Sequence, residues 1–174
     1  MPLLDRAGNR EDRWTRSEGA AIGNIPAALV PWEALAEALE AQTPDQQIGV
    51  ILPNSVPFAA LASFLPQLAL VAIAFPAYSD GRGFSLARQI RRAGFKGEIR
   101  ASGPLIADQF AYALSCSFDT VELPEANAAR QPVPQWLHAR ESFSATYQRG
   151  YGESERNILD QRRSAKAAAA IAAE

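Results

Sequence analysis

Short apolar runs alternate with longer amphipathic segments through the middle of the chain. The continuous apolar runs at residues 48–52 and 70–75 are bounded by turn-forming residues, which is typical of strands buried on both faces. Residues 98–102 and 120–123 instead alternate apolar and polar positions, which predicts strands with one face on the core. Apolar residues that recur every three or four positions predict helices before and between these strands, at residues 31–42, 57–65, 84–93 and 104–114.

Strands that alternate with helices along a chain are expected to be parallel and joined by right-handed crossovers. We therefore predict a single α/β domain at residues 29–124 with about four parallel strands. The spacing fits either an open doubly wound sheet or part of a β/α barrel. Residues 1–28 are predicted to form an irregular N-terminal arm, in which residues 3–4 and 13–15 could pair as a hairpin and Trp14 packs the arm onto the domain.

After residue 124 the regular pattern weakens. Residues 125–134 have the composition of a linker, and residues 136–151 form an aromatic clamp segment that is either helical or extended. The alanine-rich tail, residues 162–174, has too little apolar variety to specify a docking site. We therefore assign residues 125–174 to a C-terminal region of linker, clamp and tail.

The composition argues against several classes of function. The 174 residues carry a net charge of −2, whereas nucleic-acid binding normally requires a strongly basic face. The single cysteine, Cys116, excludes an internal disulfide and a four-cysteine cluster, and the single histidine, His138, excludes a histidine-rich metal site within one chain. No apolar run approaches the roughly 20 residues that span a bilayer, and the N-terminus lacks the pattern of a signal peptide. We expect a cytoplasmic protein without a metal and without nucleic-acid or membrane partners.

The strongest candidate site is the turn Asp80-Gly81-Arg82-Gly83, which follows the predicted strand at residues 70–75. A strand that ends in a glycine-flanked turn and continues into a helix directs backbone N–H groups at one spot, which suits an anion. Arg82 would supply a planar donor to sulfite, sulfate or a nucleotide phosphate. The structural alternative is that Asp80 caps the helix while the glycines permit a tight turn.

A second group of candidates, Arg100, Ser102 and Gly103, lies at the carboxyl end of the third predicted strand. Because ligands in open α/β sheets collect at those ends, this turn and the Asp80 turn could line one crevice. Arg100 could equally pair with Glu122 on the neighbouring strand as a structural bridge.

Two charged residues on the flanking helices complete the ligand candidates, Arg88 and Asp108. Both have a structural alternative: Arg88 would belong to a solvated helix face, and Asp108, early in its helix, would complement the helix dipole. No catalytic residue is identified, because nothing in the sequence fixes the separation of any two carboxylates. Cys116 is predicted to be a small apolar residue of a helix.

Four segments resemble one known family. They are residues 75–88 (FPAYSDGRGFSLAR), 94–103 (GFKGEIRASG), 108–109 (DQ) and 118–123 (FDTVEL). In order and spacing they resemble the bacterial domain of unknown function 934, with similarity over roughly residues 28–125. The resemblance implies an association with assimilatory sulfite reductase, and members are often described as probable oxidoreductases of sulfite reduction. It transfers no catalytic residue.

One departure from the family concerns the cysteine. The family often has an Arg-Cys-Gly-Phe-Asp pattern where this chain has Ser-Cys-Ser-Phe-Asp at residues 115–119. The cysteine is kept, but its basic neighbour is lost. This difference argues against a thiolate activated by an adjacent arginine.

The sequence leaves two functions open. The first, implied by the resemblance, is an accessory protein that acts with sulfite reductase or another sulfur-assimilation protein, or that completes a homo-oligomer, through the basic helix face and the aromatic C-terminal segment. The second is a small oxidoreductase or cofactor-binding enzyme with an anion pocket at Asp80, Arg82 and Arg100. The chain lacks a Gly-x-Gly-x-x-Gly fingerprint and a thiol pair, so the electrons would reside on a flavin, a nicotinamide or a partner's centre.

Overall fold

The computed structural model describes residues 1–142, which form an eight-stranded sheet curled into a half-barrel. The strands are β1 (Leu3–Asp5), β2 (Gly8–Arg10), β3 (Thr15–Arg16), β4 (Ala27–Pro31), β5 (Gln47–Pro53), β6 (Leu70–Ala74), β7 (Glu98–Ser102) and β8 (Thr120–Glu122). Their order in the sheet is β2-β1-β8-β7-β6-β5-β4-β3. Strands β3 to β8 are parallel to one another, and β1 is antiparallel to both β2 and β8.

Helices connect the parallel strands in chain order. They are α1 (Leu35–Glu40), α2 (Phe58–Leu61), α3 (Arg82–Arg92), α4 (Phe110–Ser115), α5 (Glu125–Arg130) and α6 (Val133–Ser142), with short 3₁₀ turns at Trp32–Ala34, Leu65–Gln67 and Ala107–Gln109. Because β4 to β8 are adjacent in the order in which they occur in the chain, the strand order does not reverse as it would in a doubly wound sheet. Of the two arrangements predicted, the partial β/α barrel is therefore the one observed.

The predicted number of about four parallel strands is not confirmed. The four predicted apolar runs form the neighbouring strands β5 to β8, and β3 and β4 extend the parallel part of the sheet. Strand β4 was missed because its apolar run is followed directly by Pro31, which the helical pattern includes. The N-terminal arm is not irregular, since it contributes three strands, and β1 pairs with β2 rather than with residues 13–15.

The two faces of the sheet are covered differently. Alternate strand residues such as Val50, Val71 and Ile99 pack against the helices and form the main core together with Ile90 and Phe110. The opposite face, here called the inner face, carries a smaller cluster of Trp14, Ala27, Leu29, Leu70 and Ala72. Burial on both faces explains why the central strands are almost continuously apolar.

Residues 10–16 lie across the inner face, and we call this segment the strap. Trp14 is 6% exposed and contacts the backbone of Gly49, where an added Cβ would lie 3.2 Å from the indole ring. The predicted role of Trp14 as an anchor is therefore confirmed. The Arg16 side chain, on the edge strand β3, reaches Glu122 on β8. That contact requires the sheet to curl towards the strap.

The predicted linker after residue 124 is largely helical, because α5 and the start of α6 occupy it. Trp136 is fully buried and meets the ring of Phe110 edge-to-face at 5.6 Å, so the first residue of the predicted clamp belongs to the core. The rest of the clamp and the alanine-rich tail, residues 143–174, lie outside the described residues. Within residues 1–142, no helix combines the length and the hydropathy needed to cross a bilayer.

Candidate functional site

The candidate residues lie at the carboxyl ends of the parallel strands. Strand β5 is followed by Asn54, β6 by the loop that leads to Asp80, and β7 ends at Ser102. The loops after β6 and β7 contact each other directly: the Phe75 N–H donates to the Ser102 carbonyl at 2.7 Å. In an α/β sheet, this edge is where ligands bind.

Asp80 and Arg82 form a closed pair at the start of α3. Arg82 Nε donates to Asp80 Oδ1 at 3.0 Å and Nη2 donates to Oδ2 at 2.6 Å. The Arg82 backbone N–H donates to the same Oδ1 at 3.2 Å, so the carboxylate also serves the first turn of the helix. These hydrogen bonds hold the pKa of Asp80 well below its usual range and raise the pKa of Arg82. The Asp80 carboxylate therefore both accepts from the backbone of the first turn of α3 and pairs with the Arg82 guanidinium.

The Arg82 side chain nevertheless has donors left over. It is 62% exposed, and within residues 1–142 its Nη1 makes no hydrogen bond. Gly83 lies under the ring of Phe75, where an added Cβ would come within 2.4 Å of Cζ, while Gly81 is exposed. The turn is thus fixed by packing on one side and open to solvent on the other.

Asn54 directly follows β5 and is of a residue type that commonly caps a helix. That role is not observed, because α2 starts at Phe58 after Pro57 and has no side-chain cap. Asn54 is 8% exposed, and its Nδ2 has no hydrogen-bond partner in the described part of the chain. Its amide contributes to the lowered pKa of Asp80, which places it beside the Asp80–Arg82 pair, although no hydrogen bond of good geometry joins them.

Arg100 is enclosed by two carboxylates. It is 1% exposed, and Nη1 and Nη2 donate to the two oxygens of Asp12 at 2.7 and 2.9 Å. Glu98 Oε1 accepts from Nε at 3.2 Å and from Nη2 at 3.1 Å, so four of the five guanidinium N–H groups are directed at the protein. Burial alone would lower the pKa of Arg100, but the hydrogen bond to Asp12 and the charges of Glu98 and Asp12 raise it.

The predicted ion pair between Arg100 and Glu122 is not formed. In the parallel register, Arg100 lies opposite Thr120, whereas Glu122 lies opposite Ser102. Glu122 is therefore on the same face of the sheet as Arg100 but two residues further along the strands. Glu122 Oε2 instead accepts from Arg16 Nη2 at 2.6 Å, and the same Nη2 lies 3.5 Å from Ser102 Oγ. Arg100 and Glu122 were expected to pair with each other, but each is paired with a residue of the strap instead: Arg100 with Asp12 and Glu122 with Arg16.

The inner-face charges form one balanced network. Arg10 Nη2 lies 3.6 Å from Glu98 Oε2, and Thr120 Oγ1 donates to Glu98 Oε1 at 2.7 Å. Burial raises the pKa of Asp12. Hydrogen bonds from Arg100 and from the Trp14 N–H, together with the charges of Arg100 and Arg16, lower it by more, so the pKa lies below its ordinary value. Three cations and three carboxylates take part: Arg10, Arg16 and Arg100 with Asp12, Glu98 and Glu122.

Sequence reasoning missed the strap, although its pattern carries a signal. Arg10, Asp12, Trp14 and Arg16 occupy every second position, and in an extended segment such residues share one face. Each of the four contacts the inner face. The alternation predicts an extended segment, but it does not predict which strand each side chain meets.

The other candidate residues are more scattered. Gly103 connects β7 to the next loop with φ +140°, and an added Cβ would lie 2.2 Å from the Phe75 carbonyl oxygen. Arg88 is exposed on α3, with its guanidinium carbon 5.9 Å from the centroid of the Tyr112 ring. Asp108 is exposed in the 3₁₀ turn whose Gln109 donates to the carbonyl of Tyr78 in the loop before α3.

Cys116 is fully buried at the end of α4, as predicted for a small apolar residue. The Cys116 thiol lies next to the Tyr112 side chain. Its hydrogen bond and its charge raise the pKa of Tyr112. Among residues 1–142, no three His, Cys, Asp or Glu side chains are grouped closely enough to hold a metal ion.

The fold and the site define a class: an α/β half-barrel with a neutral ion network on its inner face and polar loops at the carboxyl ends of its strands. Residues 49–157 match the family described as bacterial protein of unknown function (DUF934), and the chain belongs to that family. The predicted resemblance is thereby confirmed, although the matched segment begins and ends later than predicted. Comparison with curated proteins and with solved structures gave no match.

Proposed function

We propose that the protein is an accessory protein of assimilatory sulfite reduction that acts by contact with sulfite reductase. The observation that carries this proposal is that the side chains best suited to bind or attack a substrate are not accessible. Arg100 is enclosed by Asp12 and Glu98, and Cys116 is buried. A side chain that is fully enclosed cannot touch a substrate without a rearrangement. The link to sulfite reduction comes from the family resemblance.

The outer surface of α3 and α4 is the contact surface that fits this role. Arg88, Arg92 and Tyr112 are exposed there, and α3 contains six basic or neutral polar side chains and no acidic one. Arginine and tyrosine are enriched at the energetic centres of protein interfaces. A surface of this composition complements an acidic patch on the partner.

Charge reversal at this surface is expected to abolish the complex. In cells that grow on sulfate as sole sulfur source, tagged wild-type protein should co-purify with the sulfite reductase haemoprotein. The variant Arg88→Glu/Arg92→Glu should recover at least about tenfold less reductase, because like charges now face each other. The matched control is Arg130→Glu, an exposed arginine on α5, which should recover as much reductase as wild type.

Two results would contradict the accessory role. One is a wild-type eluate without sulfite reductase. The other is equal recovery by the charge-reversed variant and the control, which would move the contact away from α3. Thermal unfolding of all three proteins, followed by circular dichroism, establishes that the variants are folded.

A small cofactor-binding oxidoreductase is the second candidate. The observation that favours it is the position of the Asp80–Arg82 pair at the carboxyl edge of the sheet, with Arg82 largely exposed. The visible absorbance of freshly purified protein, and its titration with a flavin nucleotide or a nicotinamide dinucleotide, test it. We expect a colourless protein. A flavin-like band in stoichiometric amount would favour the enzyme over the accessory protein.

A further inference from the structure

The helices on the outer side of the sheet divide its surface by charge. Helices α1, α2 and α3 follow one another around the half-barrel, because the strands they connect, β4 to β7, are neighbours in that order. Residues 17–81, which include α1 and α2, contain no lysine or arginine. Residues 82–97, which include α3, contain five basic residues and no acidic one. Helix α2 therefore lies between an acidic neighbour and a basic one.

Most of these charges are not neutralised within residues 1–142. Three glutamates of α1 and the turn before it are exposed and form no ion pair there: Glu33, Glu37 and Glu40. Two of the five basic residues at 82–97 are paired with aspartates. The other three are exposed and form no ion pair in the same part of the chain: Arg88, Arg92 and Lys96. Both helices thus keep their charge for contacts outside the described chain.

The surface of α2 carries no charge at all. Residues 46–79 contain no charged side chain, and the burial of β5 and β6 explains this only for the strands. Between the strands, seven exposed residues are also uncharged: Ser55, Pro57, Ala59, Ala60, Ser63, Pro66 and Gln67. Half-buried rings adjoin them, since Trp32 before α1 meets Phe64 after α2 edge-to-face at 5.9 Å. An uncharged surface bordered by charged helices is typical of a protein–protein contact.

This distribution of charge is complementary to itself. If two copies meet face to face about a two-fold axis parallel to α2, α2 contacts α2 and the acidic α1 of each copy faces the basic α3 of the other. If the axis instead runs across α2, α1 faces α1 and α3 faces α3, so like charges meet. Charge therefore selects the first arrangement. A second copy of the chain provides by symmetry the basic, uncharged and acidic regions that this surface requires.

We propose that the protein forms a two-fold homodimer through the outer surface of α1, α2 and α3. The exposed Ala59 and Ala60 of α2 lie at the axis, where small side chains permit close approach. Burial of the uncharged surface supplies the attraction, and the facing helices of opposite charge fix the orientation.

The homodimer leaves the proposed contact with sulfite reductase accessible. Arg88 lies on the flank of α3 that meets Tyr112 of α4. Gln89, about 100° further round the helix, is exposed on the opposite flank, towards α2. The inference is therefore independent of the accessory role, and Gln89 is a position at which the dimer can be altered alone.

Sedimentation velocity of the full chain over a series of concentrations tests the dimer. Wild type should reach twice the chain mass of 18.8 kDa. Ala60→Glu places two like charges beside each other at the axis and should raise the dimer dissociation constant at least about tenfold. The matched control is Ala129→Glu, an exposed alanine of α5, which should dimerise as wild type does. Thermal unfolding followed by circular dichroism establishes that each variant is folded.

Substitutions of Gln89 test the orientation. Gln89→Arg faces the acidic α1 of the second copy and should lower the dimer dissociation constant about threefold, whereas Gln89→Glu should raise it by a similar factor. Added sodium chloride should reduce the difference between the two variants, because it screens exposed charges. Should Ala60→Glu fail to fold, this pair of variants decides alone.

Three results would overturn the homodimer. The first is a monomer at every concentration, which would leave this surface to a different protein. The second is equal self-association of Gln89→Arg and Gln89→Glu. The third is an assembly that keeps growing with concentration, because a head-to-tail contact of α1 with α3 does not close. Ala60→Glu should still recover as much sulfite reductase as wild type does, so that the failure of either proposal is seen separately.

Discussion

Replacing Asp12 with alanine is expected to lower the free energy of unfolding by about 3 kcal/mol, because the change leaves Arg100 buried without its main partner. Arg100 is 1% exposed and loses two hydrogen bonds of 2.7 and 2.9 Å. Removal of one member of a buried pair typically costs about 3–5 kcal/mol. We take the lower end because the Asp12 side chain is 28% exposed, so that water can partly replace it.

Urea unfolding at neutral pH measures this effect. The control is Glu11→Ala, an exposed neighbour in the strap, which should change the free energy of unfolding by less than about 0.5 kcal/mol. A double-mutant cycle with Arg100→Met isolates the pair, since the double variant no longer buries an unpaired guanidinium. Equal stability of Asp12→Ala and wild type would show that Arg100 does not depend on the strap.

The same pair predicts a pH dependence. The pKa of Asp12 is lower in the folded protein than its ordinary value of 3.8, so folding favours the ionised carboxylate. The contribution to stability is complete above that value and is lost as the pH falls through the folded pKa. The stability difference between wild type and Asp12→Ala should therefore be constant near neutral pH and shrink below about pH 4.

Gly103→Ala is the second change with a large expected effect, a loss of about 4 kcal/mol in the free energy of unfolding. The backbone of Gly103 has φ +140°, which side chains other than glycine rarely adopt. An added Cβ would also lie 2.2 Å from the carbonyl oxygen of Phe75, a backbone atom that can move only with β6. The strain and the overlap therefore add.

The matched control is Gly81→Ala, in the adjacent loop of the candidate site. Gly81 has φ −80°, and its nearest neighbour to an added Cβ is Phe84 at 4.0 Å, so alanine fits without strain. Its effect on stability should be slightly favourable or absent. Thermal and urea unfolding of both variants measures the contrast. A Gly103→Ala protein as stable as Gly81→Ala would show that the junction between the loops after β6 and β7 is not tightly packed.

The candidate site was predictable from the sequence only where its contacts are local. Asp80 and Arg82 are two residues apart in one turn, so their pairing follows from the turn itself. The partner of Arg100 is 88 residues away, and nothing in the local pattern distinguishes Asp12 from Glu122 as that partner. The burial of Asn54 likewise depends on a separate segment, the loop after β6 that carries Asp80.

By itself, the sequence determined the α/β class and the strands β5 to β8. Strands buried on both faces need continuous apolar runs, which predicted β5 and β6, and strands with one face on the core alternate apolar and polar residues, which predicted β7 and β8. It also determined the turn at Asp80 and the anchoring role of Trp14. The tertiary structure decided the remaining strands, the curl of the sheet and the partners of its buried charges. Strands of two or three residues have little preference of their own, and ion pairs depend on which distant segments the fold brings together.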